Sequence, residues 1–334
     1  MFSGDKPLPA MQVKSPPLRS IPLGPLPAKP LVSILVPSYN QGRFIRHTID
    51  SILQQDYRPL KIHVVDGASS DNTVNVLKSY GEIPELEWIS EPDKGVVDAV
   101  NKGFDRLEGD ICGIQSSDDL YLPGVIQRIV DQFHEFPKTG LIYGDTVKVD
   151  AEGNELLRYQ IGPWSFKNIF LMKTWIPQPS TFFRREMLVT CGGWDDRIPY
   201  APDTDLWLRM AFRTDVKKID HYLSSRRMHD AQRDTQAAKI IRDYSRMIDQ
   251  SSDIASASAN IRSAAEASKH LIWQRYNPTG SDMRVAWHLM RAGMACPAAW
   301  NTKGIVRNAL LPIRRQLSRV KQALFATKST KAGH

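Results

Sequence analysis

The sequence predicts an α/β fold: a mostly parallel sheet with helices on both faces, followed by a helical C-terminal extension. Three observations predict it. Short apolar runs such as SILV, IHVV and ICGI alternate with stretches of helical period. The runs are largely apolar rather than alternating, as strands buried on both faces are. Three polar clusters, Ser38 to Asn40, Asp66 to Asp71 and Ser116 to Asp119, each follow such a run. Ligands of open parallel sheets bind there, beyond the carboxyl ends of the strands.

The elements follow in chain order. Residues 1–30 hold eight of the 22 prolines and show no period, so they read as an extended, mostly disordered arm. A strand over 31–36 leads to a helix over 44–54, with Ile45, Ile49, Ile52 and Leu53 on one side. A second strand over 60–65 ends at Asp66, and Asp71 or Asn72 caps a helix reaching Tyr80. A third strand over 86–90 precedes a helix whose apolar stripe is Val96, Val97, Val100, Phe104 and Leu107. DICGIQ is the fourth strand, and a helix follows over 123–136. A hairpin turns at AEGN, PSTFFRR forms a strand, and DTDLWLRMAF begins a helix at Asp203 to Asp205. From about Ile219 a strand runs into a polar loop, and the remainder is helical in pattern. The expected domains are the arm at 1–30, an α/β domain at 31–234 and a basic helical extension at 235–334.

Composition narrows the function classes. The 334 residues are 42% hydrophobic with eight Trp, enough for a large core. Cys112, Cys191 and Cys296 are far apart and odd in number, which suits no disulfide framework or zinc spacing and points to a reducing cytosol. No apolar run is long enough to span a bilayer, and the N-terminus shows no apolar signal core. The net charge of +8 combines +10 over 283–334 and +3 over 1–30, which leaves −5 for 31–282. A mildly acidic middle excludes a basic nucleic-acid-binding core, so no nucleic-acid partner is expected.

The polar clusters then carry the chemistry. The turn after the first strand, PSYNQG, has one glycine, unlike the glycine-rich turn of dinucleotide oxidoreductases, and no GxxxxGK[ST] loop occurs. Phosphate must be held another way, and a divalent ion on carboxylates is one. Asp118 and Asp119 suit that role, although Ser and Asp there also suit the cap of a helix starting near Pro123.

Five segments occur in order: SILVPSYNQGRFIRHTIDSILQQ, VVDGASSDNT, SEPDKGVVDAVNKG, GDICGIQSSDDLYLPG and GGWDDRIPYAPDTDLWLRM. Together they resemble the family 2 glycosyltransferases, with a Rossmann-like GT-A sheet, over roughly residues 31–234. Each segment alone is a weak signal; five in register are specific. The resemblance implies an inverting, non-processive transfer from a nucleotide-diphospho-sugar, in the first instance a UDP-sugar, to the hydroxyl of a glycan or lipid-linked acceptor. Such chemistry serves surface polysaccharide, glycan or glycolipid synthesis. Polymerising relatives carry a QxxRW motif and membrane spans, and neither is found in this sequence. A diphosphate leaving group needs charge neutralisation more than protonation, which Mg²⁺ or Mn²⁺ supplies as a Lewis acid. The acceptor hydroxyl needs a general base.

The resemblance also implies roles. Asp119 matches the metal ligand, with Asp118 beside it on the ribose or a metal-bound water. Asp66 matches the carboxylate that reads the base; Pro37, Tyr39 and Asn40 match the segment lining it. Asp93, Lys94, Asp98, Asn101 and Lys102 match the segment bordering nucleotide and sugar. Asp203 matches the catalytic base, with Asp205 as fallback; Pro202 stands where many relatives carry Glu. His229 matches a histidine that reaches metal or diphosphate, and Arg227 and Arg233 suit phosphate. Gln178, Ser180 and Trp194 fall on the acceptor side. Trp207 and Leu208 read as core.

The C-terminal third lies outside the resemblance. IRRQLSRVKQALF puts Ile313, Leu317, Val320 and Leu324 on one helix face with basic residues elsewhere, so residues 303–328 are a candidate contact with an anionic membrane surface. A solvated basic helix packed on its own domain fits as well. The expected location is the cytoplasm, with attachment at the inner face of the cytoplasmic membrane. Two rival functions have discriminating features. A nucleotidyltransferase would carry GxGxR after the first strand, which is missing. An inactive GT-A scaffold would not need Asp66, Asp119 and Asp203 together.

Overall fold

The computed structural model describes residues 20–229, 236–276 and 283–301. The described residues fall into two compact units: 20–164 with 175–229, and 165–174 with 236–276 and 283–301.

The first unit is built on one nine-stranded sheet. Its first half is the alternation read from the sequence. β1 (Val32–Ser38), α1 (Ile45–Leu53), β2 (Leu60–Asp66), α2 (Thr73–Lys78), β3 (Leu86–Ser90), α3 (Val96–Phe104) and β4 (Ile111–Ile114) follow in order. These four strands lie parallel as β3-β2-β1-β4. β1 is buried along its whole length, which explains its continuous apolar run. The second half departs from the parallel plan. β5 (Leu120–Tyr121), α4 (Val125–Glu135), the hairpin of β6 (Thr139–Val149) with β7 (Glu155–Tyr159), β8 (Thr181–Arg184), α6 (Arg185–Cys191), α7 (Pro202–Ala211) and β9 (Asp215–Arg227) complete the unit. β8 runs antiparallel to β4 and to β6, β9 runs parallel to β6, and β5 runs antiparallel to β9. The sheet is therefore mixed: parallel in one half, and antiparallel in the other except where β9 pairs with β6.

Helices cover both faces. On one, Ile45, Ile49 and Ile52 of α1 and Ile126, Ile129, Val130 and Phe133 of α4 pack on Val32, Ile34 and Val36 of β1. Fully burying each such side chain contributes about 1.5–3 kcal/mol. On the other face, Phe104 of α3 and Trp207 of α7 both contact Phe183 of β8. A Cβ at Gly103 would collide with Leu35, so glycine lets α3 lie directly on β1.

The second unit is helical: α5 (Phe166–Phe170), α8 (Ala237–Gln250), α9 (Ser252–Ser256), α10 (Ala259–Tyr276) and α11 (Met283–Ala295), then a 3₁₀ turn at Pro297–Asn301. α10 packs against α5, α8 and α11. Its buried Ala264, Ala265, Ala267 and Ser268 are small, which permits that approach. The Ser165 and Ser251 hydroxyls cap α5 and α9, accepting from Asn168 N and Ile254 N. Among the described residues no helix is long and apolar enough to cross a membrane.

Several expectations change. Residues 20–30 carry no helix or strand, yet they are held on the first unit rather than left as a disordered arm. Ile21 N donates to Arg213 O, Gly24 N to Glu186 Oε1, Arg184 to Gly24 O, and Tyr57 Oη to Pro30 O. The short helices α5 and α6 have too few residues to show a period and were not anticipated. β9 starts at Asp215, earlier than its apolar pattern suggests, because β6 pairs along it. The segment 303–328 and Arg233 lie outside the described residues.

Candidate active site

The loops after β1, β2 and β3 are bound to one another. Asn40 takes a left-handed backbone at φ 53°, which Asn tolerates better than most residues. That conformation turns its N–H to Ser69 Oγ at 2.7 Å, while its Oδ1 accepts from Ser70 N at 2.9 Å. Gln41 N donates to Thr73 Oγ1 and Gly42 N to Asp71 Oδ2, both at 2.9 Å. Burial works to raise the Asp71 carboxyl, but the Thr73 hydroxyl and N–H and the Gly42 N–H outweigh it and hold it below the ordinary carboxylate range.

Asp66, expected to read the base, is wholly buried at the end of β2. It accepts from Ser69 N and Oγ and from Ser90 Oγ, so it ties the ends of β2 and β3 together. Asp93 is the more open carboxylate here. Its Oδ1 takes Gly95 N at 2.7 Å, and its Oδ2 lies against Gly67, where a Cβ would collide with it and also crowd the Tyr39 ring. Tyr39 itself is 61% exposed. Pro37 is buried within β1. Tyr39 and Asp93, from two different loops, thus meet over one glycine.

The rest of the 93–102 segment is partly structural. Lys94 N donates to Asp98 Oδ2, and Lys102 bridges Asp98 at 3.3 Å and Glu91 at 3.1 Å while donating to Pro92 O. Burial would raise the Asp98 carboxyl, but the Lys94 N–H and the Lys102 ammonium hold it low. Asn101 grips the backbone of Trp194 at both ends, donating to its O at 2.9 Å and accepting from its N at 2.8 Å. It positions the 192–201 loop instead of facing outward.

The loop after β4 brings the carboxylate pair to β9. Asp119 is 4% exposed, and its Oδ1 accepts from Arg227 N at 2.8 Å. Burial, with Asp118 beside it, pushes the Asp119 carboxyl well above the ordinary range. Asp118 Oδ2 meets His229 Nε2 at 2.9 Å, and the His229 ring leans on Phe44, centroids 5.0 Å apart. The alternative of a helix cap fails: α4 starts after Gly124, whose φ of 71° needs no Asp, and the Asp pair leads into β5. Asp118 is the member joined to His229, and Asp119 is the inward one. Arg227, expected on phosphate, is buried. Its Nε and Nη1 donate to Asp118 O and Ala151 O, so it braces the loop.

Among the described residues, no three His, Cys, Asp or Glu side chains form a ready metal site. The donor set nevertheless fits a hard divalent ion that takes phosphate oxygens as further ligands. Asp118 Oδ2 and His229 Nε2 are 2.9 Å apart as a hydrogen-bonded pair, so an ion would take the place of that bond.

A second carboxylate pair stands at the N-terminus of α7. Asp203 is half-buried in the first turn. Asp205 is bound to Arg209 at 2.7 Å, and Arg209 in turn donates to Cys191 O and Gly193 O. Burial raises the Asp205 carboxyl in spite of Arg209. The Arg209 ion pair thus occupies the Asp205 carboxylate.

The three acceptor-side residues separate. Gln178 accepts from Ser116 Oγ at 3.1 Å and donates to Ile114 O at 2.5 Å, joining the β4 exit to the turn before β8. Ser180 is fully buried, bonded to Asp145 O and Ser224 Oγ, and does not face a ligand. Trp194 is 8% exposed, its backbone held by Asn101 and its indole N–H without a partner. Ser69, Ser90 and Arg227 are the organisers that sequence reasoning missed or misassigned. Ser69 lies in the quoted ASSD stretch, and Arg227 stands two residues before His229, so position was their only signal.

Residues 33–190 match the family profile described as Glycosyl transferase family 2. An uncharacterised protein of Mycobacterium tuberculosis is 30% identical over 226 residues, 63% of this chain and 70% of that protein. Chondroitin synthase of Escherichia coli is 26% identical over 201 residues, 60% of this chain but 29% of the synthase. Two solved structures share the fold. S. aureus TarS 1–349 in complex with UDP-GlcNAc superposes with a TM-score of 0.62 at 14% identity, over 87% of this chain and 92% of that one. A mannosyltransferase from Pyrobaculum calidifontis in complex with GDP-Man and Mn²⁺ superposes with a TM-score of 0.58 at 21% identity, over 93% and 90%.

Proposed function

The chain belongs to glycosyl transferase family 2 and has the GT-A fold, and from that premise we propose an inverting, non-processive transfer of a sugar from a nucleotide-diphospho-sugar to an acceptor hydroxyl. The observation that carries the reading is the Asp118–His229 pair beside the buried Asp119, at the carboxyl end of β4. Asp118, Asp119 and His229 would hold Mg²⁺ or Mn²⁺, which neutralises the charge developing on a diphosphate leaving group. The mannosyltransferase neighbour with Mn²⁺ supports that choice.

Tyr39 offers an exposed ring for the base to stack on, and Asp93 beside it can accept from the N3–H of a uracil. We therefore favour a UDP-sugar, with Asp66 shaping this corner through Ser69 and Ser90 rather than touching the base. Asp203 takes the proton from the acceptor hydroxyl as its oxygen bonds to the anomeric carbon and the bond to diphosphate breaks. It stands in the first turn of α7, at the positive end of the helix dipole. The acceptor is a glycan or a lipid-linked sugar of a surface polysaccharide or glycolipid, in keeping with the chondroitin synthase relative.

The test is a screen of UDP-, GDP- and dTDP-sugars for metal-dependent release of nucleoside diphosphate. Release from a UDP-sugar, stimulated by Mn²⁺ or Mg²⁺ and lost with a chelator, is expected. Release from no donor under either condition would leave the chain a family member without turnover.

A further inference from the structure

α11 carries the wrong kind of outward face for a helix in water. Ala286, Leu289, Ala292 and Gly293 are buried on its inner side, where α10 and the Pro297–Asn301 turn pack. Its outward residues are Arg284, Trp287, Met290, Arg291 and Met294. Their spacing of three and four places all five on one stripe. Trp287, Met290 and Met294 are 48%, 38% and 81% exposed. Three large apolar side chains in a row are not the polar face that amphipathic packing normally leaves outside.

The stripe is firmly presented. His288 stacks on Trp273 of α10 at 4.5 Å and 15°, and its Nδ1 lies 3.0 Å from His270 Nδ1. Trp287 stands edge-on to both histidines, and the Arg291 guanidinium lies 4.9 Å above the Trp287 ring. The indole is held in place while nearly half of it remains in solvent.

Charge selects what can cover such a face. Residues 283–334 contain ten Lys and Arg and no Asp or Glu. A second copy meeting it stripe to stripe, or the chain's own basic tail, would bring the same sign of charge to the contact. An anionic lipid surface is apolar where the stripe is apolar and negative where the arginines are. Trp sits well at the headgroup boundary, Met conforms to mobile acyl chains, and Arg reaches lipid phosphates from a helix lying in the interface. We propose that α11 docks the second unit on an anionic membrane, inserting Trp287, Met290 and Met294 between headgroups, with Arg284 and Arg291 on the phosphates. This surface lies on the described part of the chain, apart from the 303–328 segment, and does not depend on which sugar is transferred.

The experiment sediments the full-length chain with phosphatidylcholine vesicles, with and without phosphatidylglycerol. The comparison protein carries Met290→Asp and Met294→Asp, both at solvent-facing positions, with folding checked by circular dichroism. The parent should bind the phosphatidylglycerol vesicles and not the neutral ones, and the double variant should bind about tenfold more weakly or worse. Absence of parent binding overturns the proposal. Unchanged binding by a folded double variant also overturns it, because the basic tail alone then carries the contact. A lipid-free dimer of the parent that the double variant abolishes overturns it as well, since the stripe then belongs to a second copy.

Discussion

Two pairs of carboxylates, one on the loop between β4 and β5 and the other in the first turn of α7, share a layout but differ in what balances the inner member. The inner member is the one the protein grips, Asp119 through Arg227 N and Asp205 through Arg209; Asp119 is buried, whereas Asp205 is partly buried, as Asp118 and Asp203 are. Asp205 faces the Arg209 guanidinium, so its charge is met inside the protein. Asp119 receives a backbone N–H from Arg227, while the Arg227 guanidinium is turned to carbonyls and Asp118 adds a second negative charge. The Arg226 and Arg227 charges offset part of this at Asp119, and His229 meets Asp118, but burial and Asp118 outweigh them at Asp119. In the second pair Arg209 meets the charge of Asp205, and Asp203 is the member proposed as the base. Burial raises the carboxyl of both inner residues, so it is the partner that separates their roles.

Substitutions can break this contrast, and the largest effect is expected at Asp203. Asp203→Asn should lower turnover by about 10³–10⁴-fold and leave donor binding unchanged, as loss of a general base does. Steady-state rates beside calorimetric donor binding would check it; turnover near the parent's would move the base elsewhere. Asp119→Asn comes next. It keeps a side-chain acceptor for Arg227 N but removes the charge, so metal-dependent activity should fall by about 10²–10³-fold. Its effect on stability has a definite sign. A carboxyl raised in the folded state contributes stability at low pH that is lost as pH rises through the folded value. The neutral amide should thus melt at or above the parent's temperature at pH 7. A clear drop in melting temperature would mean that ionised Asp119 is balanced after all.

The inner residue of the other pair should behave in the opposite sense. Asp205→Ala leaves the buried Arg209 guanidinium unmatched and should cost about 3 kcal/mol in urea unfolding. A cost below ~1 kcal/mol would show that the Cys191 and Gly193 carbonyls balance Arg209 unaided. The smallest effect is expected at His63 of β2, distant in chemistry from both pairs. Burial lowers its imidazole to about 4, against the pull of Glu87. The unfolded chain takes the proton first, so stability present above pH 6.5 is lost as pH falls toward 4. Between pH 7 and pH 5 the parent should lose about 2 kcal/mol more than His63→Leu. Equal losses in the two proteins would show that His63 titrates normally in the fold.

Sequence reading went furthest where the code is local. β1, β2, β4 and the helices between the strands were legible because each buries a continuous run or a 3.6-period stripe; β3 appears at the residues expected, Leu86–Ser90, although only Leu86 in it is buried. The polar clusters were legible as strand ends for the same reason. β8, β9 and β5 were harder, because their places depend on pairing with strands far away in the chain. Within the clusters, residue type alone did not reveal orientation. Asp66 and Asp93 carry the same group, yet one is sealed by two serines and the other lies beside an exposed Tyr39. Asn101 looked like a ligand contact and is a clamp on Trp194. Ser180 looked accessible and is internal.

By itself, the sequence determined the α/β class, the order of the polar loops and the membership that five motifs in register convey, because periodicity and short-range spacing are properties of the chain alone. The tertiary structure decided which carboxylate of each pair the protein grips. That choice rests on Arg227 N for Asp119, more than 100 residues away, and on how α7 buries Arg209 against Asp205. Burial and long-range pairing set the charge balance of a carboxylate, and neither exists until the chain has closed on itself.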